Sequence, residues 1–111
     1  MRIRRISTLV FFVFAAAAVA ALSAGEKKGP SELFVKKCAK CHGEDGRAET
    51  PKGKKMKAQD FTEQAFQQLT TDAQIVDAIT NGTEKDMPSF GKVLSPDEIQ
   101  SLLKDVRNFA R

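Results

Sequence analysis

Cys38-Ala39-Lys40-Cys41-His42 gathers both cysteines and the only histidine of a 111-residue chain into five consecutive positions. Residues three apart on a helical turn point to one side, so the two thiols can each reach one vinyl group of a single porphyrin. The histidine beside the second anchor then sits under the iron. This is the attachment spacing of c-type haem, with the imidazole as proximal ligand. Three other chemistries use the same residue types. A disulfide would suit an oxidising compartment but leaves His42 without a task. Structural zinc wants four ligands, and a carboxylate would have to complete the set. A redox dithiol belongs in a strand-helix-strand setting, and no strand pattern surrounds these cysteines.

The first 24 residues follow different rules. Arg2, Arg4 and Arg5 precede an uncharged run from Ile6 to Gly25, whose apolar part, Leu9 to Leu22, ends in Ala21-Leu22-Ser23-Ala24. That is the pattern of a secretory leader, cut near residues 23–25, and it is short of the ~20 apolar residues of a membrane span. An uncleaved anchor is the alternative, since the whole uncharged run could cross a bilayer if slightly stretched. Three of the eighteen Lys and Arg leave with the leader while all fourteen Asp and Glu stay, so the working chain is close to neutral. Nucleic acid is therefore not an indicated partner. Charge is split along the chain, with an excess of lysine over residues 26–57 and of acid over 58–111.

The remaining residues, 25–111, make one small domain with few large apolar side chains, for which a buried macrocycle would supply missing core. Gly29-Pro30-Ser31 predicts a helix start, and a helix from Ser31 to about Cys41 places Phe34, Cys38 and Cys41 on one face. Gly43 and Gly46 end it. Residues 47–59 lack apolar periodicity and read as a surface loop. A short helix follows at about 62–68, then another from Thr71-Asp72, with Ile75, Ala78 and Ile79 on one face and Asn81-Gly82 as its stop. Thr83 to Gly91 is loop. The last segment carries Ser95 as N-cap, Pro96 at the first position, Glu98 three residues beyond the cap, and the stripe Ile99, Leu102, Leu103, Val106, continued by Phe109. It should pack on the first helix. The fold class is all-α, about four helices with long loops.

A sixth ligand must come from Met56 or Met87. Met56 lies in Lys54-Lys55-Met56-Lys57 with no apolar neighbours beside it, and reads as filler. Met87 precedes a proline, which holds its backbone extended, and Phe90 stands close enough in sequence to wall a ring. We favour Met87.

Taken together, Cys38-Ala39-Lys40-Cys41-His42-Gly43, Asn81-Gly82, Met87-Pro88-Ser89-Phe90 and the capped last helix resemble the small monohaem class I cytochromes c of bacteria and photosynthetic electron chains, over residues 31–110. The resemblance implies covalent haem c through Cys38 and Cys41, His42 and Met87 as axial ligands, and one-electron transfer by an exported, periplasmic, monomeric carrier that docks transiently with redox proteins at an exposed haem edge. It further implies that the Pro51 carbonyl accepts the hydrogen bond of the proximal imidazole. Phe34 and Phe90 are expected to pack on the haem. The chain departs from the family in having no Trp or Tyr and in placing Val106 where an aromatic residue is common; Arg47, Lys52 and Lys57 are candidate propionate partners. A haem enzyme or sensor with a labile sixth site would need distal acid-base groups, and the single histidine is already used. No small-molecule substrate is expected. A cytochrome subunit of a membrane oxidase or dehydrogenase would use the same chemistry.

Overall fold

The computed structural model describes residues 29–84 and 86–111. The leader expected over residues 1–24 lies outside them. Among the described residues six helices follow in chain order: α1 Glu32–Lys37, α2 Ala39–His42, α3 Pro51–Met56, α4 Gln64–Leu69, α5 Asp72–Asn81 and α6 Pro96–Asn108. No strand occurs among the described residues, and none of their helices is long and apolar enough to cross a membrane.

Two differences from the sequence reading account for six helices rather than about four. The first helix is interrupted at Cys38, whose φ of −121° departs from helical geometry although its N–H still donates to Phe34 O. Helical bonding resumes at once, with His42 N–H donating to Cys38 O at 3.0 Å. The second difference is α3, which lies inside the stretch 47–59 read as loop. Thr50 caps it by accepting from Gly53 N–H, and Pro51 occupies its first turn. Proline is well suited there, because the N–H it lacks would have no intrahelical partner. Thr50-Pro51 is a start signal that the lack of apolar periodicity hides, and the helix has no apolar stripe because three of its six residues are exposed lysines.

The other elements form where capping and periodicity place them. Thr71 and Gln74 make a reciprocal capping box at α5, and Ser95 and Glu98 make one at α6. Each box satisfies two N–H groups that the helix start would leave unpaired. Gly82 ends α5 with φ +74°, a conformation that costs a glycine little.

The core is a single cluster around Phe34 and Leu102, which are 0% and 1% exposed. Ile75 and Ile79 from α5, and Ile99, Leu103 and Val106 from α6, close around them. Burying side chains of this size contributes roughly 1.5–3 kcal/mol each. α6 crosses α1, as the stripe predicts. Polar ties unseen in the sequence complete the join. Asp105, buried on α6, accepts from Ser31 N–H at 3.1 Å and from Ser31 Oγ at 2.5 Å. Arg107 pairs with Asp72 at 2.8 Å and donates to the carbonyls of Gln67 and Thr70. The last helix thereby holds both the start of α1 and the α4–α5 junction.

Candidate functional site

Between the α1–α3 side and the loop after α5 lies a cleft of about 570 Å³, within the range that takes a cofactor-sized ligand. One wall carries Cys38, Cys41 and His42, the opposite loop contributes Met87, Pro88 and Phe90, and Met56 and Gln59 line the α3 side. Five residues expected at the site, Cys38, Cys41, His42, Met87 and Phe90, therefore face one cavity. Phe34 and Pro51 do not.

The attachment turn is braced from α3. Thr50 Oγ1 donates to the carbonyls of Lys40 at 2.7 Å and Cys41 at 3.1 Å while accepting from Gly53 N–H at 2.9 Å. Gly53 is required by space, since a Cβ at that position would overlap the Cys41 carbonyl oxygen. Both cysteines are free. Burial first, then the charges of Asp105 and Cys41, push the Cys38 thiol up to about 11. A redox-active cysteine needs the opposite shift, toward the thiolate. The redox-dithiol reading loses its support here.

His42 is 8% exposed, and that burial lowers its pKa below the ordinary histidine value despite the hydrogen bond it gives to backbone. Its Nδ1 lies 2.9 Å from the Gln59 carbonyl oxygen. A carbonyl can only accept, so Nδ1 carries the proton and Nε2 keeps a free lone pair for a metal. The sequence reading assigned this acceptor to Pro51. The structure corrects it: Pro51 is exposed at the start of α3, and that helix delivers the chain to Gln59, whose carbonyl meets the imidazole. Nothing in the Gln59 side chain announces this, because the working atom belongs to the backbone.

Phe34 shares a helical face with the cysteines yet packs away from the cleft, against Phe109 at 5.2 Å and Phe61 at 6.4 Å. These rings and α6 fill that face first. Phe61 is the aromatic residue that meets the imidazole, stacked at 4.3 Å and 18°. Among the proposed propionate partners, Lys52 and Lys57 reach the cavity, whereas Arg47 lies off it.

Met87 and Met56 both border the cleft but are held differently. Met87 packs against the core cluster, and its carbonyl accepts from Thr83 N–H at 3.1 Å. Phe90 N–H and Gly91 N–H donate to the carbonyls of Ile79 and Thr80, which moors the loop to the end of α5. Close approach is needed at Gly82 too, where a Cβ would stand 2.6 Å from the Met87 carbonyl oxygen. Met56 instead ends α3 among exposed lysines, just before Lys57 turns left-handed at φ +52°.

Two thiols, an imidazole with Nε2 free and a thioether around one cavity of this size suit a covalently attached haem, and the all-helical shell is that of a c-type cytochrome. Comparison with known proteins agrees. Residues 25–104 match the family described as cytochrome c oxidase, cbb3-type, subunit III, and the chain belongs to this family. A curated relative, the cbb3-type cytochrome c oxidase subunit FixP of Azorhizobium caulinodans, is 40% identical over 76 residues, which are 68% of this chain and 24% of the relative. The chain thus spans about a quarter of that protein's length. Among solved structures, the KustC0563 c-type cytochrome superposes with a TM-score of 0.67 at 34% identity, covering 71% of this chain and 94% of the other. A tyrosine-to-phenylalanine mutant of the same protein gives 0.65 at 36% identity, covering 69% and 93%. The domain is of the class that carries one covalently bound haem c.

Proposed function

We propose that the chain is a one-electron carrier, and not an enzyme, in which Cys38 and Cys41 form the thioether bonds and His42 and Met87 fill the two axial positions. When bound, the haem supplies an iron that changes by one unit of charge, and two protein ligands leave it no open position for a substrate. The protein's part is to hold the imidazole as a neutral ligand through the Gln59 carbonyl, to keep water from the cavity with Met87 and Phe90, and to leave a rim open for docking. The observation that carries this reading is that Met87 shares the cavity with His42, on a loop whose far end is moored to α5 by the Phe90 and Gly91 N–H groups.

Visible and carbon monoxide difference spectra of the exported protein test it. The wild type should show a sulfur-to-iron band when oxidised and no carbon monoxide binding when reduced. Met87→Ala should lose the band and bind carbon monoxide, while Met56→Ala behaves as wild type. Carbon monoxide binding to the reduced wild type would favour the sensor or enzyme reading.

Lys36, Lys37, Lys40, Lys52 and Lys57 line the cleft, with Asp86 the single acid on its rim among the described residues. We read this rim as steering a transient partner with an acidic face, through interactions that salt screens. Association that does not change between low and high ionic strength would remove steering. The leader pattern supports export to the periplasm. The likeness to FixP favours a second reading, a cytochrome subunit that works within a membrane oxidase, and co-purification with such a complex separates it from a free monomeric shuttle.

A further inference from the structure

A hydrogen bond at one ring atom tethers an imidazole without fixing its plane, because a carbonyl oxygen accepts over a broad range of directions. His42 has a second restraint. The Phe61 ring lies on it with centroids 4.3 Å apart and planes 18° from parallel. We propose that Phe61 is a positioning residue that sets the plane of the His42 imidazole, its ring bearing on the face while the Gln59 carbonyl holds the edge. The proposal rests on His42 being the proximal ligand.

Phe61 is built to stay still. It is 8% exposed, its N–H donates to Gly46 O at 2.8 Å, and its carbonyl accepts from Gln67 Nε2 at 2.8 Å. Phe66 packs on the same ring at 5.4 Å and Phe109 at 6.1 Å. Phe109 is in turn seated over Gly46, where a Cβ would meet its ring atoms at 2.6 Å. Gln59 and Phe61 are two residues apart, so the edge contact and the face contact come from one short segment. Turning the imidazole about its bond to Cβ would break both together. Orientation of this kind is how groups behind a ligand tune a metal without touching it, and a ring that keeps its plane in both oxidation states adds nothing to the reorganisation that accompanies electron transfer. Phe61 acts through His42 and has no contact with the iron in this scheme.

The plane of an axial imidazole decides how the unpaired electron of the low-spin ferric state spreads over the porphyrin. Ferric electron paramagnetic resonance and the hyperfine-shifted haem-methyl signals in proton NMR read it directly. Holo-protein would be compared as wild type, Phe61→Leu, Phe61→Tyr and Phe66→Leu. Phe61→Leu should alter the g anisotropy and the spread of the methyl shifts, while Phe61→Tyr retains the wild-type pattern. Phe66→Leu, which removes a ring packed on Phe61, should lower the melting temperature and leave both spectra in place. A folded Phe61→Leu protein with wild-type spectra overturns the proposal, as does Phe66→Leu moving them equally. If Phe61→Leu does not retain haem, Phe61→Met takes its place, and wild-type spectra from that folded variant are the contrary result. A wild type lacking low-spin histidine signals altogether identifies failure of the axial assignment itself, and the proposal falls with it.

Discussion

On the wall that carries Cys38, Cys41 and His42, hydrogen bonds join side chains to backbone: Thr50 Oγ1 donates to two carbonyls of the attachment turn, the His42 imidazole donates to the Gln59 carbonyl, and Asp105 accepts from Ser31 N–H, 74 positions away at the start of α1. The wall that carries Met87 is a loop in which Thr83 N–H donates to the Met87 carbonyl and the Phe90 and Gly91 N–H groups donate to the carbonyls of Ile79 and Thr80, with Asp86 left-handed at φ +72°. The first wall is set by the fold itself. Hydrogen bonds at its far end moor the second to α5, and the proposed bond to iron would fix the Met87 thioether. Damage to the attachment wall should therefore appear as lost stability, and damage to the loop as altered ligation.

The largest effect is expected from removing the anchors. Cys38→Ala with Cys41→Ala leaves a cleft of about 570 Å³ in a domain too small to spare the apolar surface, so circular dichroism should show no cooperative thermal transition. Well-resolved unfolding of that double mutant would mean the core around Phe34 and Leu102 stands without haem. Next comes Gly53→Ala, which drives a methyl group into the Cys41 carbonyl and should lower holo-protein stability by about 3 kcal/mol in urea titrations, without admitting carbon monoxide. Asp105→Ala leaves the Ser31 N–H and O–H without their acceptor and should cost about 2 kcal/mol; ligation, read from the visible spectrum, should not change. Gly82→Ala, at φ +74° and ψ −176° where only glycine is at ease, should cost about 2 kcal/mol; it also pushes on the Met87 carbonyl and should be the one of these three that lets carbon monoxide bind the reduced iron. Carbon monoxide binding to Gly53→Ala and not to Gly82→Ala would reverse the comparison between the walls.

Gly53 and Gly82 also show what kind of information a sequence yields. Gly82 follows Asn81 at the end of a periodic segment, so its role as a stop is visible locally. Gly53 sits among lysines with no pattern around it, and its role comes from Cys41, twelve residues earlier, pressing against its Cα. Thr50-Pro51 was a readable start signal obscured by the lysines that follow. Phe34 shows the converse limit: a shared helical face does not by itself give a shared neighbour, because which neighbour fills a face depends on what else arrives there.

By itself the sequence determined the attachment pentapeptide, the caps of α5 and α6, the stripe of the last helix and the choice of Met87 over Met56 as candidate ligand, because these depend on spacing within one or two helical turns and on side-chain chemistry. Only the tertiary structure decided that Gln59 and not Pro51 accepts from His42, that Phe61 and not Phe34 faces the imidazole, and that Asp105 secures Ser31. The reason is physical. A backbone carbonyl is the same group at every position, and a contact between distant segments is chosen by packing, which no local pattern records.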